Sequence, residues 1–137
     1  MTWPVVHISR SFDYDVAAVS SVAGNPENLP AWAAGLSAGI CHEEGRWITD
    51  SPMGVVEVAF TGPLELGILD HDVILPDGSV VRNTFRVVAN DKGSEAVFTL
   101  FHRDEMSEVD FQSDADAVRE DLDRLAALLE ERLPRAR

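Results

Sequence analysis

Phe111, Ala115, Val118, Leu122, Leu125, Leu129 and Leu133 recur at intervals of four and three residues, alternating as far as Leu129. On a helix of about 3.6 residues per turn that spacing places all seven on one face. Ser107 with Asp110 three residues on ("SEVD") makes a capping-box-like start, and Pro134 ends the run. The opposite face carries Asp114, Asp116, Arg119, Glu120, Asp123, Arg124, Glu130 and Glu131, and reads as solvated. A helix with one apolar stripe draws its stability from what covers that stripe. Whatever precedes residue 107 has to supply the cover.

The preceding residues read as strands. Val5 to Phe12 is β-rich, and Asp13 stands where a helix cap belongs, ahead of "YDVAAVSSVAG" with Gly24 at its C-terminal end. "NPENLPAWAAGL" follows, with Asn25 as cap, Pro26 at a first helical position and Pro30 as a breaker, which gives a second short helix leading to Trp32. From Ala38 to Arg103 six strands are predicted near 38–43, 46–50, 55–61, 67–75, 79–88 and 95–103. "EEG", "SPMG", "TGPLE", "PDG" and "NDKG" supply the reversals between them. The expected fold is α+β: a seven-stranded curved antiparallel sheet wrapped on the long terminal helix, with two short helices after the first strand. At 137 residues and 45% hydrophobic content the chain has one real core, so residues 1–137 are read as a single domain.

Charge narrows the partners. With 24 acidic against 11 basic residues the net charge is −13, a field that repels phosphate backbones and anionic bilayers, so neither nucleic acid nor a membrane is expected as a partner. The start "MTWPVVHISRSF" lacks the basic and apolar regions of a secretion signal, and no stretch has the roughly 18 apolar residues of a membrane span. Cys41 has no cysteine to pair with, and a cytoplasmic location is the expectation. "HEE" at 42–44 and "HRDE" at 102–105 offer no three ligands at a helical or CxxC spacing, so no metal and no other cofactor is expected.

The stretch "GILDHDV", residues 67–73, sets His71 between two aspartates. Strand residues alternate faces, so Asp70 and Asp72 project one way while Leu69, His71 and Val73 project the other. "LPDGS" fits a three-residue hairpin loop with Gly78 left-handed, which pairs Val73 with Val81, Asp72 with Arg82, His71 with Asn83 and Leu69 with Phe85. Asp70, Asp72, Arg82, Thr84 and Arg86 form a solvated, ion-paired face. His71 and Asn83 become neighbours on an apolar wall. If "NDKG" puts Ala89 opposite Ser94, then Phe98 faces Phe85, Leu100 faces Asn83, and His102 joins the same wall opposite Val81. His71 and Asn83 either satisfy each other there or serve a ligand; buried polar groups need one or the other.

"ISRSFDYDVAAV", "NPENLPAWAAGL", the meander and "DADAVREDLDRLAALLEERL" together resemble the START-like superfamily, the helix-grip fold of polyketide cyclase/dehydrase-type proteins and plant pathogenesis-related (Bet v 1-like) allergens. The resemblance implies a deep cavity between the sheet and the terminal helix, with its mouth near "SPMG", "PDG" and the start of that helix. The residues expected to serve a ligand there are Trp32, Met53, Phe60, Leu69, His71, Asn83, Phe85, Phe98, Leu100, His102, Val118 and Leu122. Three functions compete. The cavity binds an apolar or aromatic small molecule, with His71 and Asn83 orienting a polar substituent. Alternatively the protein is a cyclase/dehydrase-type enzyme with His71 (or His102) as general acid/base and Asn83 bonding a developing enolate. The third is an interaction module without a small ligand, for which a homodimer is a compatible assembly. Aromatase/cyclases of the superfamily usually also place arginines or tyrosines in the cavity, whereas Arg82 and Arg86 are expected to point outward and Tyr14 to lie on the first helix.

Overall fold

In the computed structural model, which describes residues 1–134, the reversal at Leu75–Ser79 sets the register of the sheet's centre. Gly78 takes φ +87°. The Leu75 N–H donates to the Ser79 carbonyl and the Gly78 N–H to the Leu75 carbonyl, each at 2.9 Å. Only glycine adopts that backbone cheaply, and the three-residue loop closes around it. Strand β5 (His71–Ile74) therefore meets β6 (Val80–Asn90) with His71 opposite Asn83, Asp72 opposite Arg82 and Val73 opposite Val81. The next reversal puts Ala89 opposite Ser94 and Phe85 opposite Phe98 on β7 (Gly93–Phe101). Strand β1 (Val5–Phe12) pairs with the free edge of β7, while β4 (Gly54–Phe60), β3 (Arg46–Ser51) and β2 (Cys41–Glu43) extend the sheet beyond β5. The order is β1-β7-β6-β5-β4-β3-β2, and every pairing is antiparallel.

Helix α1 (Val16–Ala23) is capped by Asp15, whose carboxylate accepts the Ala18 N–H at 2.8 Å, so the cap falls two residues after the expected Asp13. Asn25 caps the next turn as its sequence suggests. Pro30 does not break a helix but lies in the first turn of α2 (Leu29–Trp32), where its missing N–H is not needed. Helix α3 (Glu108–Arg132) starts with the Ser107 hydroxyl accepting the Asp110 N–H at 3.1 Å. It buries Phe111, Ala115, Leu122, Leu125, Leu128 and Leu129 against the sheet, and Leu128 is a member of the stripe that the four-three spacing left out. Together with Leu69, Phe85, Val87 and Ala96 of the sheet and Val19 and Leu29 of the short helices, all of these but Phe111 form one core. Among the described residues no helix is long and apolar enough to cross a membrane.

The segment before β5 departs from a regular strand without losing its parity. Gly67 takes φ +80°, and a Cβ there would lie 2.1 Å from the Val87 carbonyl oxygen, so the chain runs against β6 too closely for any other residue. Leu69 still donates its N–H to the Phe85 carbonyl, and Ile68 bridges to Arg86. The Phe85 N–H, however, donates to the Asp70 carboxylate at 3.0 Å rather than to a strand carbonyl. Other predicted strands shift at their ends, most at three strands: residues 38–40 lie outside β2, β6 runs on to Asn90, and β7 runs from Gly93 to Phe101. There the His102 N–H turns to the Pro4 carbonyl at 2.8 Å.

Both aspartates hold an arginine through two hydrogen bonds, Asp70 with Arg86 and Asp72 with Arg82. Neither is simply solvated, since each carboxylate side chain is only 15% exposed. They differ in what else they do: Asp70 also satisfies a backbone N–H in a residue that is 1% exposed. Asp70→Ala strands that donor and is expected to cost about 1–3 kcal/mol. Asp72→Ala removes a surface ion pair alone and should cost clearly less. Urea denaturation of the two variants checks this, and equal losses would contradict it.

Candidate functional site

The inner face of the sheet and α3 do not meet everywhere. Leu125 and Leu129 fill the middle and C-terminal part of the interface completely, whereas the first half of α3 presents Ala117 and the half-buried Val118. The space left over is a lobe of about 250 Å³ between α3, the segment around α2 and strands β5 to β7. A second lobe of about 400 Å³ opens toward the loop that follows β7 and shares Met53, Val73, Asn83, Leu100 and Asp114 with the first. The second lies in the size range of small-molecule sites, about 300–1,000 Å³, and the first just below it.

Parity supplies the sheet's contribution. Phe98 and Leu100 of β7, Asn83 of β6 and His71 and Val73 of β5 line the first lobe. Trp32, 6% exposed, closes one side; its ring packs 5.9 Å from Phe85, which packs 5.8 Å from Phe98. The indole Nε1 of Trp32 is buried with no hydrogen-bond partner among the described residues. Val118 and Leu122 of α3 form the facing wall, and Met53, 57% exposed, stands at the mouth.

Four residues expected at the ligand lie elsewhere. Leu69 and Phe85 face inward but sit where α3 already fills the core, at 0% and 1% exposure. Phe60 lines a separate cleft with Trp47 and Leu64 and stands 5.5 Å from the His71 ring. His102 is drawn out of the wall because β7 stops one residue before it. Its Nε2 donates to the Met106 carbonyl at 2.9 Å, and its ring stacks on Phe111 at 4.5 Å, so it pins the entry to α3. Conversely, Asp114, which the sequence places on the solvated face, and Asp121 also line the lobe. Burial pushes both carboxyls above the usual aspartate range. Asp121 accepts the Ala34 N–H at 3.1 Å and pairs with Arg124, whose Nε donates to the Trp32 carbonyl at 3.2 Å. These contacts clamp the 32–34 segment onto α3. The signal in the sequence was their spacing, one step either side of Ala117 and Val118 on the same helix face.

The polar end of the lobe is His71 with Asn83. His71 Nδ1 lies 3.0 Å from the Leu69 carbonyl, and a carbonyl only accepts, so Nδ1 carries the proton in the neutral ring. Nε2 is then the lone-pair side, and the Asn83 Nδ2 group donates to it across 3.3 Å. Burial holds the imidazole below its ordinary pKa of 6.5, and outweighs the Leu69 bond and the charges of Asp70 and Asp72, which act the other way. A neutral base with its free nitrogen turned toward an amide can accept a proton or a hydrogen bond at pH 7. Among the described residues no group of three His, Cys, Asp or Glu is placed to hold a metal ion.

No protein-family model and no curated protein matches the sequence. Solved structures do share the architecture. The chain is similar to MLL2253 from Mesorhizobium loti (12% identity, TM-score 0.71, covering 96% of this chain and 100% of that one). It is similar to Ara h 8.0201 (13%, 0.67, 93% and 98%). It is also similar to DynU16, a protein of the dynemicin biosynthetic locus (17%, 0.66, 96% of this chain and 49% of that one). At such identities the likeness is one of fold, and the chain has the START-like, Bet v 1-like helix-grip fold.

His71 also ties stability to pH. Its folded pKa is depressed while the unfolded value stays near 6.5, so its contribution is complete above about pH 6.5 and is lost as pH falls through the folded value. Asp70 and Asp72 are held below 3.8 by their arginines and do not titrate in that window. Asp114 and Asp121 shift the opposite way but are common to wild type and variant. Wild type is therefore expected to lose stability relative to His71→Gln between pH 7 and pH 5. Urea midpoints across that range test it, and parallel profiles would contradict it.

Proposed function

We propose that this protein binds an apolar or aromatic small molecule in the lobe between the sheet and α3. The observation that carries the reading is the composition of the lobe: Trp32, Phe98, Leu100, Val118 and Leu122 around the polar pair His71 and Asn83, with Asp114 and Asp121 on the α3 side. Each 100 Å² of apolar ligand surface removed from water there contributes about 2.5 kcal/mol before the cost of association. The pair then fixes orientation, because leaving either group unpaired in an apolar wall is costly. The fold supports the same reading, since it resembles those of Bet v 1-like ligand-binding and polyketide-cyclase-like proteins. Location in the cytoplasm, a lack of nucleic-acid partners and a single domain over 1–137 belong to this proposal and follow from composition.

A second reading is favoured by one observation, the protonated Nδ1 of His71. A general base needs its free nitrogen toward the substrate and a second group holding the ring, and the Leu69 carbonyl does the holding. In that case His71 removes a proton next to a substrate carbonyl while Asn83 donates to the enolate oxygen. Arg82 and Arg86 are occupied by aspartates, and Tyr14 is buried in the core, so among the described residues no lysine, arginine or tyrosine side chain lines the first lobe to assist.

A thermal-shift panel of flavonoids, polyketide fragments, steroids and fatty acids tests the binding reading. Ligands that occupy the lobe raise the melting temperature by mass action. Val118→Trp, which fills the lobe from α3, should abolish the shift while the protein still melts cooperatively. A flat response across the panel would contradict the reading and leave an interaction module. If an identified ligand is turned over, His71→Ala should abolish turnover and keep binding; unchanged turnover would make His71 an orienting group only.

A further inference from the structure

The chemistry of the lobe's polar end restricts what its occupant can carry. The Leu69 carbonyl fixes the proton on His71 Nδ1, so Nε2 can only accept. The Asn83 amide can only donate toward it, and at 3.3 Å their contact is longer than an ordinary N–H hydrogen bond. A polar ligand atom that displaces this long contact has to offer a donor to Nε2 and an acceptor to Asn83 Nδ2. A hydroxyl does both. An ether, a ketone or a carboxylate offers acceptors alone and leaves Nε2 unpaired. The other polar side chains on the first lobe are Asp114 and Asp121, acceptors too, and the Trp32 indole, whose one neutral N–H is fully buried; among the described residues no lysine or arginine lines it. In the second lobe Arg82 is held at Nε and Nη2 by Asp72, and Arg103 lies over the Trp3 ring, 5.9 Å from its centre, with a long contact to the Arg82 carbonyl.

Building on the binding reading, we propose that the pair His71 and Asn83 selects a hydroxyl-bearing ligand, a phenol or an enol, and that carboxylates are excluded from the first lobe. The hydroxyl donates to Nε2 and accepts from Asn83, and the ring it belongs to lies against Phe98, Leu100 and Val118.

Titration of the wild type with 2-naphthol, 2-methoxynaphthalene and 2-naphthoate separates this inference from the reading it rests on. The three probes share one aromatic body and differ in the group presented to the pair. 2-Naphthol is expected to bind about three- to tenfold more tightly than its methyl ether, the scale of one net hydrogen bond. 2-Naphthoate should bind most weakly. His71→Leu should bring 2-naphthol and the ether within about twofold of each other. Asn83→Leu should narrow the preference in the same direction, and the wild-type ranking decides even where a variant does not fold. If the ether or the carboxylate binds as tightly as 2-naphthol, hydroxyl selection is overturned and the cavity reading stands. If none of the three binds, both are overturned.

Discussion

Two residues per repeat is the period of a strand, and the reversal at Pro76-Asp77-Gly78 decides which of the two goes inward. Gly78 in the left-handed region closes the loop, pairs Val73 with Val81, and every side chain back to Leu69 inherits its face from that pairing. A slip of one residue would present Asp70 and Asp72 to the core and turn His71 to water. The double-bonded ion pairs Asp72–Arg82 and Asp70–Arg86 on one side, and Val73 and Phe85 on the other, hold the register against that slip. The acceptor role of Asp70 toward the Phe85 N–H fastens it where the regular ladder gives out.

The hollow follows from a mismatch between helix and sheet. Leu125, Leu128 and Leu129 are long enough to reach the sheet and pack solidly, so the inward residues opposite them, Leu69 and Phe85, are core. One or two turns earlier α3 offers alanine and valine, and the sheet offers Asn83 and His71 in place of aliphatic side chains, so the two layers part. Arg124 and Asp121 keep the 32–34 segment tied to α3 across the opening, which holds Trp32 in the wall. Binding at this end and stability at the other are divided along one helix.

The parts of this arrangement legible in the sequence are those set by short-range geometry. Gly78 and the alternation of "GILDHDV" were enough for the His71–Asn83 pair, and the four-three spacing was enough for α3. Position along a strand was not legible: Leu69, Phe85 and Phe98 share a face, but only the packing of α3 says that Phe98 borders space and the others do not. His102 shows the limit of parity, since the rule applies only while the strand lasts, and β7 ends one residue before it. Asp114 is exposed as its charge suggests and still borders the lobe, and Asp121 is half-buried beside it, because residues at the border of a helix stripe can be charged and partly covered. The cap at Asp15 rather than Asp13 reflects two equal donors of a capping group two positions apart, which local sequence does not separate.

Diffraction from crystals of the protein pressurised with xenon tests the central claim most directly, because xenon occupies apolar hollows that side chains leave unfilled. A xenon site enclosed by Phe98, Leu100, Val118 and Leu122, with the His71 imidazole on the same inner side, is the expected result. The same volume filled by side chains, or the His71 ring on the outer face beside Arg82 and Arg86, would contradict the account.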